Sequence, residues 1–176
     1  WCFSEVNKQA DFYQIGIVES DTPGGPWTDV LRAPLVPNGL VDVPCYDPCL
    51  FKEDDGSIYI LFGIWNYYIA RVSEDMRSIE PPRPIEVRNP VGPYGEGKTD
   101  DKVFVHKRNG IYYLSWGSYY ATSETLEGPY TYLSCIIDPR LMEPRFRDRT
   151  WPCGPTQGRH GAFFEWRGQW NFTYCE

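Results

Sequence analysis

Apolar and polar residues alternate in short runs along most of the chain, the period of two that predicts half-buried strands. The clearest run is 101–117, DKVFVHKRNGIYYLSWG. It predicts a strand, a tight turn at Asn109–Gly110 and a second strand rich in Tyr and Trp. The pattern recurs at 47–63, DPCLFKEDDGSIYILFG, with a turn at Asp55–Gly56, and at 160–174, HGAFFEWRGQWNFTY, with a turn at Arg167–Gly168. Aligned on the turn glycine, Asp47 and Asp101 each stand nine residues ahead of it, and His160 stands eight. Each hairpin therefore opens on an ionisable residue before it turns apolar.

A second repeat runs out of phase with the first. IGIVESDTPGGPW (15–27), YIARVSEDM (68–76) and YYATSETLEGPY (119–130) each carry an alternating strand that ends on a serine: Ser20, Ser73 and Ser123. The serines are 53 and 50 residues apart, and the ionisable openers 54 and 59. A period of this size, with about four short strands per unit, predicts an all-β chain of propeller blades. The units fall at about 1–44, 45–88, 99–137 and 158–176, the first and last incomplete. Further strands are expected over 11–20, with Ile15, Ile17 and Val18 facing the core, and over 27–31, 67–73, 119–123 and 130–135. Residues 78–87 read as an edge because Pro81, Pro82 and Pro84 cannot sit in a central strand. The connection 138–158 is basic and proline-rich, with room for a short helical turn; no helix of ordinary length is expected. Because inner strands of a propeller begin beside its axis, Asp47, Asp101 and His160 are expected to converge on one funnel.

Composition narrows the chemistry. Pro and Gly number 16 each, which suits many turns, and aromatics make up 16% of 176 residues. The net charge of −7, without a basic run, argues against nucleic acid. No apolar stretch approaches the roughly 18 residues that span a bilayer, so no membrane is expected. The six cysteines (2, 45, 49, 135, 153 and 175) form no metal-type pair. Buried thiols and a disulfide both stay open.

With these motifs in place, a resemblance follows. YDPCLFKEDDGSIYILFG resembles the segment that begins the middle blade of glycoside hydrolase family 43; VFVHKRNGIYYLSWG and GRHGAFFEWRGQW resemble the next two blades, and IGIVESDTPGGPW the outer half of the preceding one. The resemblance implies the five-bladed β-propeller fold, about three blades of it in this chain. It also implies inverting hydrolysis of arabinose- or xylose-containing glycans by three acidic residues. Asp47 falls at the family Asp that tunes the proton donor. His160 falls at the His that helps hold a central calcium through water, the one cofactor expected. The general base belongs to the first blade, expected ahead of Trp1, with the missing blades supplied by the rest of the protein or by a partner chain. At the donor, Asp101 stands where the family has Glu. Asp is a methylene shorter, so its carboxyl would reach about 1 Å less far, enough to matter. Glu96, whose Glu96–Gly97 echoes the family dipeptide five residues out of register, is the second candidate, and Asp100 a third.

The chemistry asks for such groups. Inversion needs a protonated carboxyl beside the leaving oxygen and an ionised one to activate water. A second carboxylate in a shared funnel helps the donor keep its proton. Trp65, Trp116 and Tyr119 are the rings expected to stack on sugar faces, with buried core positions as the plainer reading. Lys102 is expected to point away from Asp101 by strand alternation. An oligo- or polysaccharide of plant or algal origin is the implied partner, and a secreted or periplasmic location the implied compartment. Two alternatives stand beside the hydrolase: a non-catalytic carbohydrate-binding propeller, and a related five-bladed glycosidase such as an anhydrogalactosidase, in which His106 or His160 serves as acid.

Overall fold

In the computed structural model, residues 2–5, 13–45, 47–136 and 160–174 are described. The connection expected at 138–158 lies outside them, as do Cys153 and Cys175. The chain divides into two compact units, Trp1–Pro84 and Ile85–Glu176. Every regular element among the described residues is a strand, so the all-β, propeller-type expectation holds.

In the first unit β1 (Cys2–Glu5), β2 (Ile15–Glu19) and β3 (Thr28–Asp29) form one sheet in chain order. Then β4 (Cys49–Lys52), β5 (Ile58–Ile64), β6 (Asn66–Val72) and β7 (Arg83–Ile85) form a four-stranded meander. Alternation places Ile15 and Ile17 inward, where they pack with Leu35, Val36, Ile60 and Phe62 in one apolar cluster. Pro84 sits in β7, an edge strand, where its missing N–H costs no ladder bond.

The second unit holds β8 (Val87–Arg88), the small hairpin β9 (Val91–Gly92) and β10 (Gly95–Glu96), and the meander β11 (Val103–Arg108), β12 (Ile111–Trp116), β13 (Tyr119–Ser123) and β14 (Tyr130–Cys135). The two-stranded β15 (Gly161–Trp166) and β16 (Gln169–Tyr174) follow. One boundary differs from expectation. Val87 and Arg88 pair in parallel with Tyr130 and Thr131 of β14, so they close the outer edge of the following sheet. A two-residue strand carries no alternation, which is why the sequence pattern could not assign it.

The serine repeat has a local cause. Ser20 and Ser123 each accept the N–H of the threonine two residues on, at 3.2 Å, while Thr22 and Thr125 donate to the carbonyls of Gly25 and Gly128 at 2.7 and 2.6 Å. Ser73 Oγ accepts the N–H groups of Arg77 and Ser78. Each serine thus ends a strand by satisfying the turn that follows.

The three hairpins do not share one turn. Asn109 and Gly110, like Arg167 and Gly168, form two-residue loops with positive φ at both positions, the twist-matched turn. The first hairpin is longer. Glu53 N–H bonds Ser57 O, and Gly56 N–H bonds Glu53 O, leaving Asp54, Asp55 and Gly56 as a three-residue loop with Gly56 at φ 90°. Alignment on the turn glycine therefore slips by one residue. Counted from the last ladder residue of each first strand (Glu53, Arg108, Trp166), the residue six places earlier is Asp47, Lys102 or His160. The position equivalent to Asp47 in the next sheet is therefore Lys102, and Asp101 lies one residue ahead of it.

Candidate active site

Asp47 stands two residues ahead of β4, half-buried, with φ 46°. Asp adopts this left-handed conformation more readily than most residues. Cys49 pairs with Leu61, so the same register carried outward sets Asp47 level with Gly63. Ile64 pairs with Asn66, which leaves Trp65 alone at the tip of the β5–β6 turn, at φ 62° and 51% exposed. A Cβ on Gly63 would run into the Asn66 carbonyl, so only glycine permits this tip. The result is a carboxylate and an open indole at the same end of one sheet.

At the corresponding end of the second unit the arrangement is different. Lys102 has φ 67°, and this left-handed residue breaks the strand alternation on which its expected direction rested. Its ammonium turns onto both neighbours, pairing with Asp100 Oδ2 at 3.3 Å and with Asp101 Oδ1. Lys102 and Asp100 are 8% and 4% exposed, and Asp101 is half-buried. Lys102 therefore does not point away from Asp101. The same register sets Ser118, fully buried and without a hydrogen-bond partner for its Oγ among the described residues, level with Asp101.

Glu96 is exposed on β10, opposite Val91. Its hairpin is fixed from below: Trp116 Nε1–H donates to Val91 O at 2.9 Å. That bond explains the first of two corrections. Trp116 and Tyr119 are 0% and 1% exposed, a cross-strand pair closing the Gly117–Ser118 turn, and neither offers a face to a sugar. Of the three expected platforms only Trp65 is open. His160 is exposed, one residue ahead of β15.

His106 lies in the middle of β11, its ring stacked on Tyr113 at 4.9 Å and on Phe163 at 4.3 Å. With Tyr120 and Trp170 it lines a cavity of about 320 Å³. Burial, and then the charge of Arg108, push its pKa down to about 4. Burial and the Arg108 charge thus disfavour the imidazolium form that a His acid would use. Its titration has a consequence for stability. The folded pKa lies below the ordinary value of 6.5, so its contribution is complete above pH 6.5 and is lost as pH falls towards 4. The thermal midpoint of the protein is expected to drop between pH 7 and pH 4.5, and the drop to shrink in His106→Phe, whose ring keeps the stack. Equal drops in the two proteins would refute this.

Calcium takes six to eight oxygen ligands; among the described residues no three His, Cys, Asp or Glu side chains gather to hold a metal. His160 supplies one imidazole, so these residues alone do not make a calcium site. Cys45, Cys49 and Cys135 are free thiols, and burial raises the Cys45 thiol to about 11.

Residues 1–132 match the sequence model of glycosyl hydrolases family 43. The chain belongs to that family. It is 27% identical over 209 aligned residues to a xylosidase/arabinosidase of Bacteroides ovatus, covering 97% of this chain and 58% of that protein. It is 34% identical over 130 residues to a β-D-galactofuranosidase of Aspergillus niger, covering 66% of this chain and 36% of that one. A solved family-43 β-xylosidase/α-arabinofuranosidase from a compost microbial metagenome, in complex with xylotriose and in calcium-free form, superposes with a TM-score of 0.70 at 25% identity. That match covers 98% of this family-43 chain and 59% of the solved one. The chain thus spans under two thirds of the length of these relatives.

Sequence reasoning missed two residues of the family-43 chain that the structure brings forward, Lys102 and Ser118. Lys102 had a signal in the hairpin spacing, hidden by the longer first turn. Ser118 carried no pattern.

Proposed function

We propose that the protein is an inverting glycoside hydrolase of the xylosidase or arabinofuranosidase type, acting on oligo- or polysaccharides of plant or algal origin. The observation that carries this reading is Asp47 at the head of β4 with the open ring of Trp65 at the same end of its sheet. A carboxylate beside an exposed indole can act on a sugar stacked on the ring. Family membership and the carbohydrate complex of the related structure support it.

Within this reading Asp47 is the tuning carboxylate. The ion pair with Lys102 favours the ionised form of Asp101. Glu96, the carboxyl of the β9–β10 hairpin, is then the proposed proton donor, one that a bound glycan would cover. The general base and the remaining blades come from the rest of the protein. The exposed Phe164 and Trp166 on the two-stranded β15–β16 sheet support that, since such a sheet is marginal by itself. A polysaccharide substrate would be met outside the cytoplasm, and a secreted or periplasmic location is the one we propose.

The test is hydrolysis of aryl xylosides and arabinofuranosides by the protein with all its blades, with the anomer of the first product read by NMR. An inverted product is expected. A retained product would refute the mechanism, and glycan binding without turnover would favour the carbohydrate-binding reading, the one the Lys102–Asp101 ion pair favours.

A further inference from the structure

We infer that Tyr94 is a specificity-determining residue: the tip of the β9–β10 hairpin is a preformed platform for a sugar residue adjoining the one that is cleaved. The inference rests on the hydrolase reading, and it deepens it.

Tyr94 is 53% exposed, although its hairpin is tied down on every side. Trp116 holds Val91 O from beneath, Gly97 N–H bonds Pro90 O at 2.8 Å, and Gly95 and Glu96 pair with Gly92 and Val91. Pro93, next to the ring, is buried. At Gly92 a Cβ would come within 2.7 Å of Lys98 O and 2.8 Å of Thr99 O, so the hairpin lies hard against its own return strand. Gly95 and Gly97 supply the left-handed turns, φ 101° and 82°, that put the tyrosine outward.

An aromatic ring on so fixed a base is unusual for a loop. A free loop would lose conformational freedom on binding, whereas this one has already lost it, so contact with a ligand is not offset by an ordering cost. Tyrosine suits the role: a broad apolar face for the C–H side of a sugar and a hydroxyl at the edge. In sequence Tyr94 is two residues from Glu96 and eight from Lys102, in the segment that leads into β11. A sugar on it would lie beside the proposed donor, on the far side of the bond that is cut.

The test compares Tyr94→Ala and Tyr94→Phe with the wild type, in the protein with all its blades, on xylotriose, xylotetraose and an aryl monoglycoside. Tyr94→Ala is expected to raise KM for the oligosaccharides about tenfold, the size of one lost aromatic stack. The loss is expected in KM rather than in kcat, KM for the aryl monoglycoside, whose aryl ring would take the same place, is expected to rise as well, and Tyr94→Phe, which keeps the ring, to behave as wild type. An unchanged KM for the oligosaccharides in Tyr94→Ala overturns the platform and leaves the hydrolase reading standing. If the wild type turns nothing over, calorimetric binding of xylotetraose decides: about tenfold weaker binding by Tyr94→Ala keeps the platform on a non-catalytic protein. Equal binding by the two proteins, or none by the wild type, overturns it.

Discussion

With Glu96 as the proposed donor, Glu96→Gln is expected to lower kcat on substrates with poor leaving groups by roughly 10²–10⁴, the usual contribution of a general acid. It leaves dinitrophenyl glycosides nearly untouched, because a stable phenolate departs without a proton. Asp101→Asn shows no such dependence, since a carboxylate held ionised by Lys102 has no proton to give. Asp47→Asn serves as the reference. Asn accepts the left-handed φ of 46° as Asp does, so the backbone stays and only the charge goes. Turnover then falls for every substrate alike. The measurement is a plot of log kcat against leaving-group acidity for the three variants. A steep slope in Asp101→Asn with none in Glu96→Gln would reverse the assignment.

Lys102→Met is expected to destabilise the protein by about 3–5 kcal/mol, the cost of removing one partner of a buried ion pair. Asp100 is 4% exposed, so its carboxylate would remain in the protein without its cation. Met is as strained as Lys at φ 67° and has a similar stem, so backbone and packing cancel and the charge is isolated. Asp100→Asn combined with Lys102→Met should recover most of the loss, because a neutral pair carries no desolvation penalty. Denaturant unfolding of the two single variants and the double checks this. A Lys102→Met protein as stable as the wild type would mean that water reaches the site.

Much of the fold was legible because short antiparallel strands announce themselves by alternation and by their turns. Asn109–Gly110 and Arg167–Gly168 predict hairpins whose strands fall where expected. The errors were errors of counting and of burial. One extra residue in the Asp54–Gly56 loop shifted the alignment of Asp47 against the later hairpins, so that the turn glycine matched Asp47 with Asp101 where the strand register matches it with Lys102. Alternation says which residues share a face, but not how deeply that face is covered. Trp65 and Trp116 therefore looked alike in sequence, although one caps an open tip and the other is sealed beneath the Val91–Glu96 hairpin. Left-handed residues such as Lys102 defeat alternation outright. Tyr94 was unreadable because its hairpin is held at Val91 by Trp116, 22 residues beyond Tyr94.

The parallel seating of β8 on β14 sets the path of the chain that follows. The order β11-β12-β13-β14-β8 puts Arg88 on the outermost strand and Val103 on the innermost. The segment between them must cross four strand intervals, roughly 19 Å at the usual spacing. It is a tie beam laid over the end of the sheet, fastened to the rim at one end and to the head of β11 at the other, with Tyr94 and Glu96 carried along it. The height of both residues is then set from two sides, so repacking at the outer rim shifts Glu96 and Tyr94 together.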